Sequence, residues 1–505
     1  MSDGRDALTI GLDLGTSALK AVALDAAGRI RARASAAYPL STPRPGWSEQ
    51  DPEDWWRAAC DCLRRLHETI GDAELLGLGL SGQMHGSVFL DAEDRVIRPA
   101  LLWNDARTGA QCAEIERRLG RARVLEITGN RPSAGFQAPK ILWLADHEPE
   151  AHARIARVLL PKDFLRLRLT GTAATDAADA SGTLLLDIRS RDYSAEMLEA
   201  LAVPRAWLPP VAEGPDIVAR IDRRGAATSG LPEGLPVVAG GGDNACAAVG
   251  AGIVAAGDGV CSIGTSGTLF IHADHAVTDP EGGLNAFCAA VPGGWHLMGV
   301  VLSAGGALAW FAEKVLMEEG AGNDLFDRLL AEIAALPPGA EGLLFLPYLA
   351  GERSPHMDPE ARGAWVGLSL AHDRRHMARA LVEGVGFAFA DCLARMRGLG
   401  LEPRRLVLAG GGARNPVWRE ILAAQLDRPL LPTAAEEGPA LGAAMLAGIG
   451  TGMFADFGDA VARCVPATGA EVTPAADAVA AYDGLFARYR KLYPALAGAG
   501  LFGSG

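Results

Sequence analysis

The chain has 505 residues, 49% of them hydrophobic and 21% charged. That balance excludes a disordered chain, and the length exceeds one compact core, so two large domains are expected. With 47 basic and 61 acidic residues the formal charge is −14, which argues against nonspecific binding to nucleic acid or an anionic membrane.

In chain order, the opening residues MSDGRDALTI carry no apolar signal core, so a cytoplasmic protein is expected. LTIGLDLGTSALKAVALD (8–25) alternates apolar and polar residues on both sides of Gly15-Thr16-Ser17 and predicts a hairpin. Asp51-Pro52-Glu53-Asp54 is a helix start, with a capping acid and a proline at the first turn. Trp56, Ala59, Leu63, Leu66 and Ile70 then share one helical face. The segment 208–234 reads as loop-rich. LPVVAG (235–240) is a strand running into the glycines of VVAGGGDNACAAVGAG (237–252).

GVCSIGTSGTLFIHAD (259–274) repeats the first hairpin pattern, with Gly264-Thr265-Ser266 at its tip and Ser262 in the place of Asp13. Two such units about 250 residues apart predict two similarly built halves, which we set at 1–253 and 254–505. Leu308, Phe311 and Val315 read as one helical face, as do Met377, Leu381 and Val385. RLVLAG (405–410) is a further strand ending in glycine. The alternation of helices and strands predicts α/β layers in both halves. The uncharged stretch 438–455 approaches a membrane span in length, but its five glycines and one proline predict a buried helix and turn. The eight cysteines show no metal-ligand spacing and read as reduced packing thiols.

Several chemistries are excluded directly. No Gly-Lys dipeptide occurs, so there is no Walker-type loop. GLGLSG (77–82) has dinucleotide-type spacing without the helix that must follow. Ser81 lacks a nucleophile elbow, because Gln83 stands where the last glycine belongs. No H-E-x-x-H zinc motif is present.

The paired turns are better phosphate candidates. Small residues permit close backbone approach, and amides with hydroxyls supply donors to phosphate oxygens. An acid beside a phosphate needs a cation between them, so Asp13 points to Mg²⁺, held through water. LVLAGGGARNPVWREIL (406–422) would let a flat nucleoside lie against glycine backbone. SGQMHG (81–86) and LLWNDARTG (101–109) gather Gln83, His85, Trp103, Asn104, Asp105 and Arg107, the mixed donors, acceptors and aromatic faces that a hydroxyl-rich ligand needs. Asp243, after three glycines, reads either as a helix cap or as an acid facing such a ligand.

GLDLGTS, WSEQDPEDWW, SGQMHG, LLWNDAR, LLPKDFLRLRLTG, VVAGGGDNA, SIGTSG, FLPYLAGERSPH and AGGGARN occur in the order found in the FGGY carbohydrate kinases, and the chain resembles that family from about residue 7 to 494. GFQAPK (135–140) departs from the pattern at Gln137. The resemblance implies two ribonuclease-H-like domains of the actin and sugar-kinase superfamily with an active-site cleft between them. It implies Asp243 as catalytic base, Asp13 near metal and phosphate, and Met84, His85, Gln83, Trp103, Asn104 and Asp105 at the sugar. Gly15, Thr16, Ser17, Gly264, Thr265, Gly305, Gly411, Gly412 and Asn415 would meet ATP, and a homodimer is expected. QMHG with WND is similar to members acting on D-xylulose, so the expected reaction is phosphorylation of its C5 hydroxyl. Another pentulose, a polyol, or an actin-like nucleotide switch are the alternatives.

Overall fold

The computed structural model describes residues 7–318, 323–433, 437–465 and 469–502. Residues 1–6, part of the opening read above, lie outside it. The first hairpin forms as expected from β1 (Ala7–Leu14) and β2 (Ala18–Asp25), and β3 (Ile30–Ala37) continues antiparallel to β2. Helix α1 (Pro52–Ile70) starts where the acids predict: Asp51 accepts from the Glu53 amide, and Trp56, Ala59, Leu63 and Leu66 are buried. It leads to β4 (Glu74–Gly82), which pairs parallel with β1. These central strands are nearly continuous in buried residues, as strands covered on both faces must be.

The segment 208–234 holds more structure than its sequence suggests. It contains the edge strand β5 (Ile217–Arg220) and a helix over Arg223–Ser229. The strand is short and largely exposed, so burial leaves little alternation to read. It pairs antiparallel with β6 (Pro236–Val238), which lies parallel to β4; β7 (Gly241–Gly242) extends the same edge of β4. Helix α2 (Asp243–Gly250) follows directly.

The second sheet starts with the hairpin β8 (Asp258–Ile263) and β9 (Gly267–Ala273), followed by β10 (Asn285–Cys288) and β11 (Trp295–Val301). Long helix α3 (Arg374–Gly398), strand β12 (Arg405–Ala409), helix α4 (Pro416–Leu426) and strand β13 (Leu430–Pro432) complete this layer. Along each sheet five strands repeat one topology. In the first the order is β6, β4, β1, β2, β3; in the second it is β13, β12, β8, β9, β11. In both, the first three are mutually parallel and the last two antiparallel. The short GTS repeat is therefore the visible part of a whole repeated sheet.

One expected helical face is interrupted. Regular helix spans Gly305–Trp310 and then widens to a π-turn over Phe311–Val315. Leu308 and Phe311 are buried, but the wider turn shifts the phase and leaves Val315 39% exposed.

The stretch beginning at residue 438 is a buried helix, α5 (Gly438–Gly450), followed by α6 (Phe457–Cys464). Although they follow the second sheet in sequence, these helices lie against the first sheet and α2. A Cβ at Gly11 would stand 2.0 Å from the Ala440 carbonyl oxygen, and one at Gly79 2.0 Å from that of Ala443. Glycine in the strands thus lets helix backbone rest directly on the sheet, where the Thr9 hydroxyl donates to the Ala444 carbonyl at 3.0 Å. Among the described residues no helix is long and apolar enough to cross a membrane.

Candidate active site

Parallel strands β1, β4 and β7 end on one row: Asp13 pairs in register with Ser81, and Ser81 with Gly241. Open α/β sheets bind ligands at these carboxyl ends. The chain reaches the row through Gly240, which has φ +78 and leaves no room for a side chain, since a Cβ would meet the Leu80 carbonyl at 1.9 Å. Two residues beyond Gly241, Asp243 opens α2. Gly242, not Asp243, is the N-cap residue. The Asp243 carboxylate accepts from the Asn244 amide at 2.7 Å and from the Asn244 side chain at 3.2 Å.

Asp13 is 8% exposed. Its Oδ1 accepts from the Ser81 hydroxyl at 3.0 Å, while no donor among the described residues reaches Oδ2. Burial raises its carboxyl to about 6, against the Ser81 hydrogen bond and the charge of Lys20. Burial lifts Asp243 further, to about 7; the Asp13 charge adds to the rise and the Asn244 amide opposes it. Two carboxyls held near neutrality at one set of strand ends form a site that can take up a proton at physiological pH.

The QMHG loop lies against this row. Met84 packs beside Gly242, and the Asn244 amide lies 3.9 Å from its sulfur. His85 has φ +68, a left-handed conformation uncommon for a side chain of this size. Its Nδ1 is 2.7 Å from the Gly182 carbonyl oxygen, and its ring stands 4.5 Å from Phe136 and 5.9 Å from Phe287. Burial pushes the imidazole down to about 3, so it is neutral. A carbonyl only accepts; Nδ1 therefore carries the hydrogen and Nε2 is left as an acceptor.

The strained loop is tied down by a lysine that the sequence did not single out. Lys140 is wholly buried, and its ammonium donates to the carbonyls of His85 at 2.9 Å and Gly135 at 2.6 Å. Gly135 in turn backs onto Trp103, whose carbonyl oxygen would be 2.2 Å from a Cβ there. Gln137, the departure from the family pattern, donates to the carbonyls of Gly86 at 3.2 Å and Leu159 at 3.3 Å. GFQAPK thus fastens QMHG and WND together.

Two expected sugar contacts face the protein instead. Gln83 is 1% exposed and donates to Gln50 at 3.1 Å; Gln50 in turn donates to the Thr16 carbonyl at 2.7 Å. Asp105 is 1% exposed, with its oxygens taken by the Ser48 amide and by a bidentate Arg107. Asp105 lies behind the pocket wall with both oxygens taken inside, whereas Gln83 is equally buried but keeps an Oε1 that no donor among the described residues reaches. Asn104 and Trp103 are exposed, and the Trp103 indole donates to the Thr16 hydroxyl at 3.0 Å, joining the aromatic loop to the first turn.

In the second half, Gly264, Thr265, Gly305, Gly411, Gly412 and Asn415 line one cavity of about 380 Å³, with Leu308, Phe326 and Trp418 on its walls. The Gly305 and Gly306 amides donate to the carbonyls of Gly264 and Thr265 at 2.8 and 2.9 Å. A Cβ at Gly305 would lie 2.6 Å from the Gly264 oxygen. Asn415 caps α4 through the Val417 amide and donates to Asp327 at 2.7 Å. A largely apolar cavity of this volume, edged by glycine backbone and Thr265, leaves room for a flat ring against the chain.

Residues 8–250 match the N-terminal domain of the FGGY family of carbohydrate kinases, and residues 259–451 match its C-terminal domain. The chain belongs to the FGGY carbohydrate kinases. Among its relatives in this family, a xylulose kinase of Escherichia coli K12 is 44% identical, covering 87% of this chain and 89% of that protein. One from Bacillus subtilis 168 is 39% identical over 96% of each. The crystal structure of xylulose kinase from Rhodospirillum rubrum superposes with a TM-score of 0.92 at 34% identity, covering 97% of this chain and 99% of that one. The FGGY fold accounts for the repeated sheets, both built on the two-domain α/β plan of sugar kinases.

Proposed function

We propose that this FGGY kinase transfers the terminal phosphoryl group of ATP to the C5 hydroxyl of D-xylulose, giving D-xylulose 5-phosphate and ADP. The observation that carries the reading is Asp243, raised to about 7, opening a helix two residues beyond the strand-end row of Asp13 and beside the QMHG loop. The names of the relatives supply the sugar.

A sugar hydroxyl is a weak nucleophile, and a carboxylate is too weak a base to ionise it beforehand. Asp243 orients the hydroxyl and accepts its proton late, as the bond to phosphorus forms and the bond to the ADP oxygen breaks. His85, neutral, accepts a hydrogen bond from a sugar hydroxyl through Nε2. Thr16 and Thr265, with the amides of their turns, face phosphate oxygens. Asp13 fits a hydrated Mg²⁺, because no donor among the described residues reaches its Oδ2; when bound, that ion would neutralise phosphate charge. The eight cysteines are all free thiols, which suits a reducing cytoplasm.

A coupled ADP-release assay across ketoses and polyols tests the reading. D-xylulose should give the highest kcat/KM. A different best sugar would replace the substrate, and ADP release indifferent to every sugar would point to a nucleotide switch.

A further inference from the structure

The segment FLPYLAGERSPH (345–356) has no part in the chemistry above, yet it brings a cation to the sugar loop. Glu352 is 2% exposed, and its Oε1 accepts from the amides of Leu302 at 3.0 Å and Arg353 at 2.8 Å. The Ser354 amide donates to the Val300 carbonyl at 3.0 Å. Arg353 is thus gripped on both sides by the end of β11. Val300 and Leu302 there belong to the apolar cluster that includes Met84, Phe136 and Phe287. Through this contact a residue of the second half is delivered to the His85 loop of the first.

The Arg353 guanidinium is partly buried, and among the described residues it has no hydrogen bond, ion pair or ring contact. Other shielded arginines are ion-paired: Arg107 with Asp105 and Glu49, Arg166 with Asp163, Arg379 with Glu383. The neighbouring Glu352 supplies an opposing charge without touching the guanidinium, so the donors of this desolvated cation are left for an acceptor from outside the chain. Its charge is felt at His85, helping to keep that ring neutral, and does not figure among the influences on Asp243. The bonds to Leu302 and Val300 bring a planar donor (Arg353) to the cluster that carries the loop of a lone acceptor (His85 Nε2), and such a pair is the complement of a carbonyl next to a hydroxyl.

Resting on the proposed sugar-kinase reading, we propose that Arg353 donates to the ketone oxygen of the bound sugar while His85 accepts from the neighbouring hydroxyl, so that Arg353 is the residue that favours a ketose over the corresponding polyol. The test compares D-xylulose with xylitol, which carries a hydroxyl in place of the ketone. In Arg353→Gln, kcat/KM for D-xylulose should fall roughly 10–100-fold, the range for losing a hydrogen bond from a charged group. The value for xylitol should fall less than about threefold by the same reasoning, KM for ATP should hold, and Arg353→Lys should recover part of the loss. Equal losses on both sugars, or no loss, would overturn the inference.

The wild-type rate on D-xylulose judges the kinase reading separately, and the ketose-to-polyol ratio judges Arg353 for whichever ketose the enzyme accepts. A wild type active on polyols alone overturns both. Should the variants fail to fold, phenylglyoxal labelling of the wild-type enzyme decides: D-xylulose should protect Arg353 and ADP should not. Labelling of Arg353 at the same rate with and without the sugar would refute the assignment.

Discussion

Asp13 and Asp243 are held at one end of the first sheet by a single row of register, Asp13 to Ser81 to Gly241, with Asp243 two residues further along the chain. The Asp13 charge is the second cause, after burial, of the raised Asp243 carboxyl. The first turn and the candidate base are therefore coupled electrostatically before any ligand arrives.

That coupling predicts a pH response. Asp243 accepts a proton only when ionised, so activity belongs to the alkaline side of its folded value of about 7 and is lost as pH falls through it. In metal-free protein the Asp243 carboxyl carbon should titrate near that value by ¹³C NMR. Asp13→Asn removes a neighbouring negative charge and should move the midpoint down. An upward or absent shift would mean that burial alone sets it.

Removing the base should affect chemistry more than binding. Asp243→Ala is expected to lower kcat by roughly 10²–10⁴-fold, the usual scale for a positioned acid–base group, with KM for ATP little changed. Near-normal turnover of the folded variant would assign the proton to another acceptor.

Lys140 offers a test of loop positioning. Lys140→Met leaves the His85 and Gly135 carbonyls buried without their donor, each at a cost of about 1–3 kcal/mol. Relaxation of the left-handed His85 should raise KM for the sugar about tenfold, corresponding to about 1.4 kcal/mol, without a matching change for ATP. Isothermal titration with each ligand alone would check this. Unaltered sugar affinity would show that the loop holds its shape without the lysine.

The second turn should be equally intolerant of bulk. In Gly305→Ala the new methyl must displace the Gly264 carbonyl, 2.6 Å away, with overpacking of about 1–3 kcal/mol. ATP should bind more weakly and D-xylulose, titrated without nucleotide, as before. Equal weakening of both would indicate general loosening of the fold.

Much of this was legible in the chain because local pattern and tertiary role coincide. The GTS tips sit on alternating strands, and the acids at 51–54 cap the helix they precede. What escaped were residues whose meaning depends on distant partners. Lys140 closes a motif that drew notice only for Gln137; only folding brings two carbonyls to its ammonium. Asp105 looks like a sugar contact in sequence, but Arg107 and the Ser48 amide claim it. Arg353 gave no signal beyond its motif, because its significance is the partner it lacks. The π-turn at Phe311–Val315 likewise shifts a helical phase that the side chains alone do not betray.

The return of α5 and α6 to the first sheet bears on how the protein could be divided or bent. The backbone passes between the two layers three times: after α2, ahead of α5, and beyond α6, where Val472 bridges to Leu430 and the helix over Ala476–Tyr489 joins the second layer. A fragment ending at residue 253 would strip the first sheet of the helix that Gly11 and Gly79 were shaped to receive, leaving a wide greasy face in water. Bodies threaded together in this way do not turn freely about a lone tether, because every crossing would have to give at once.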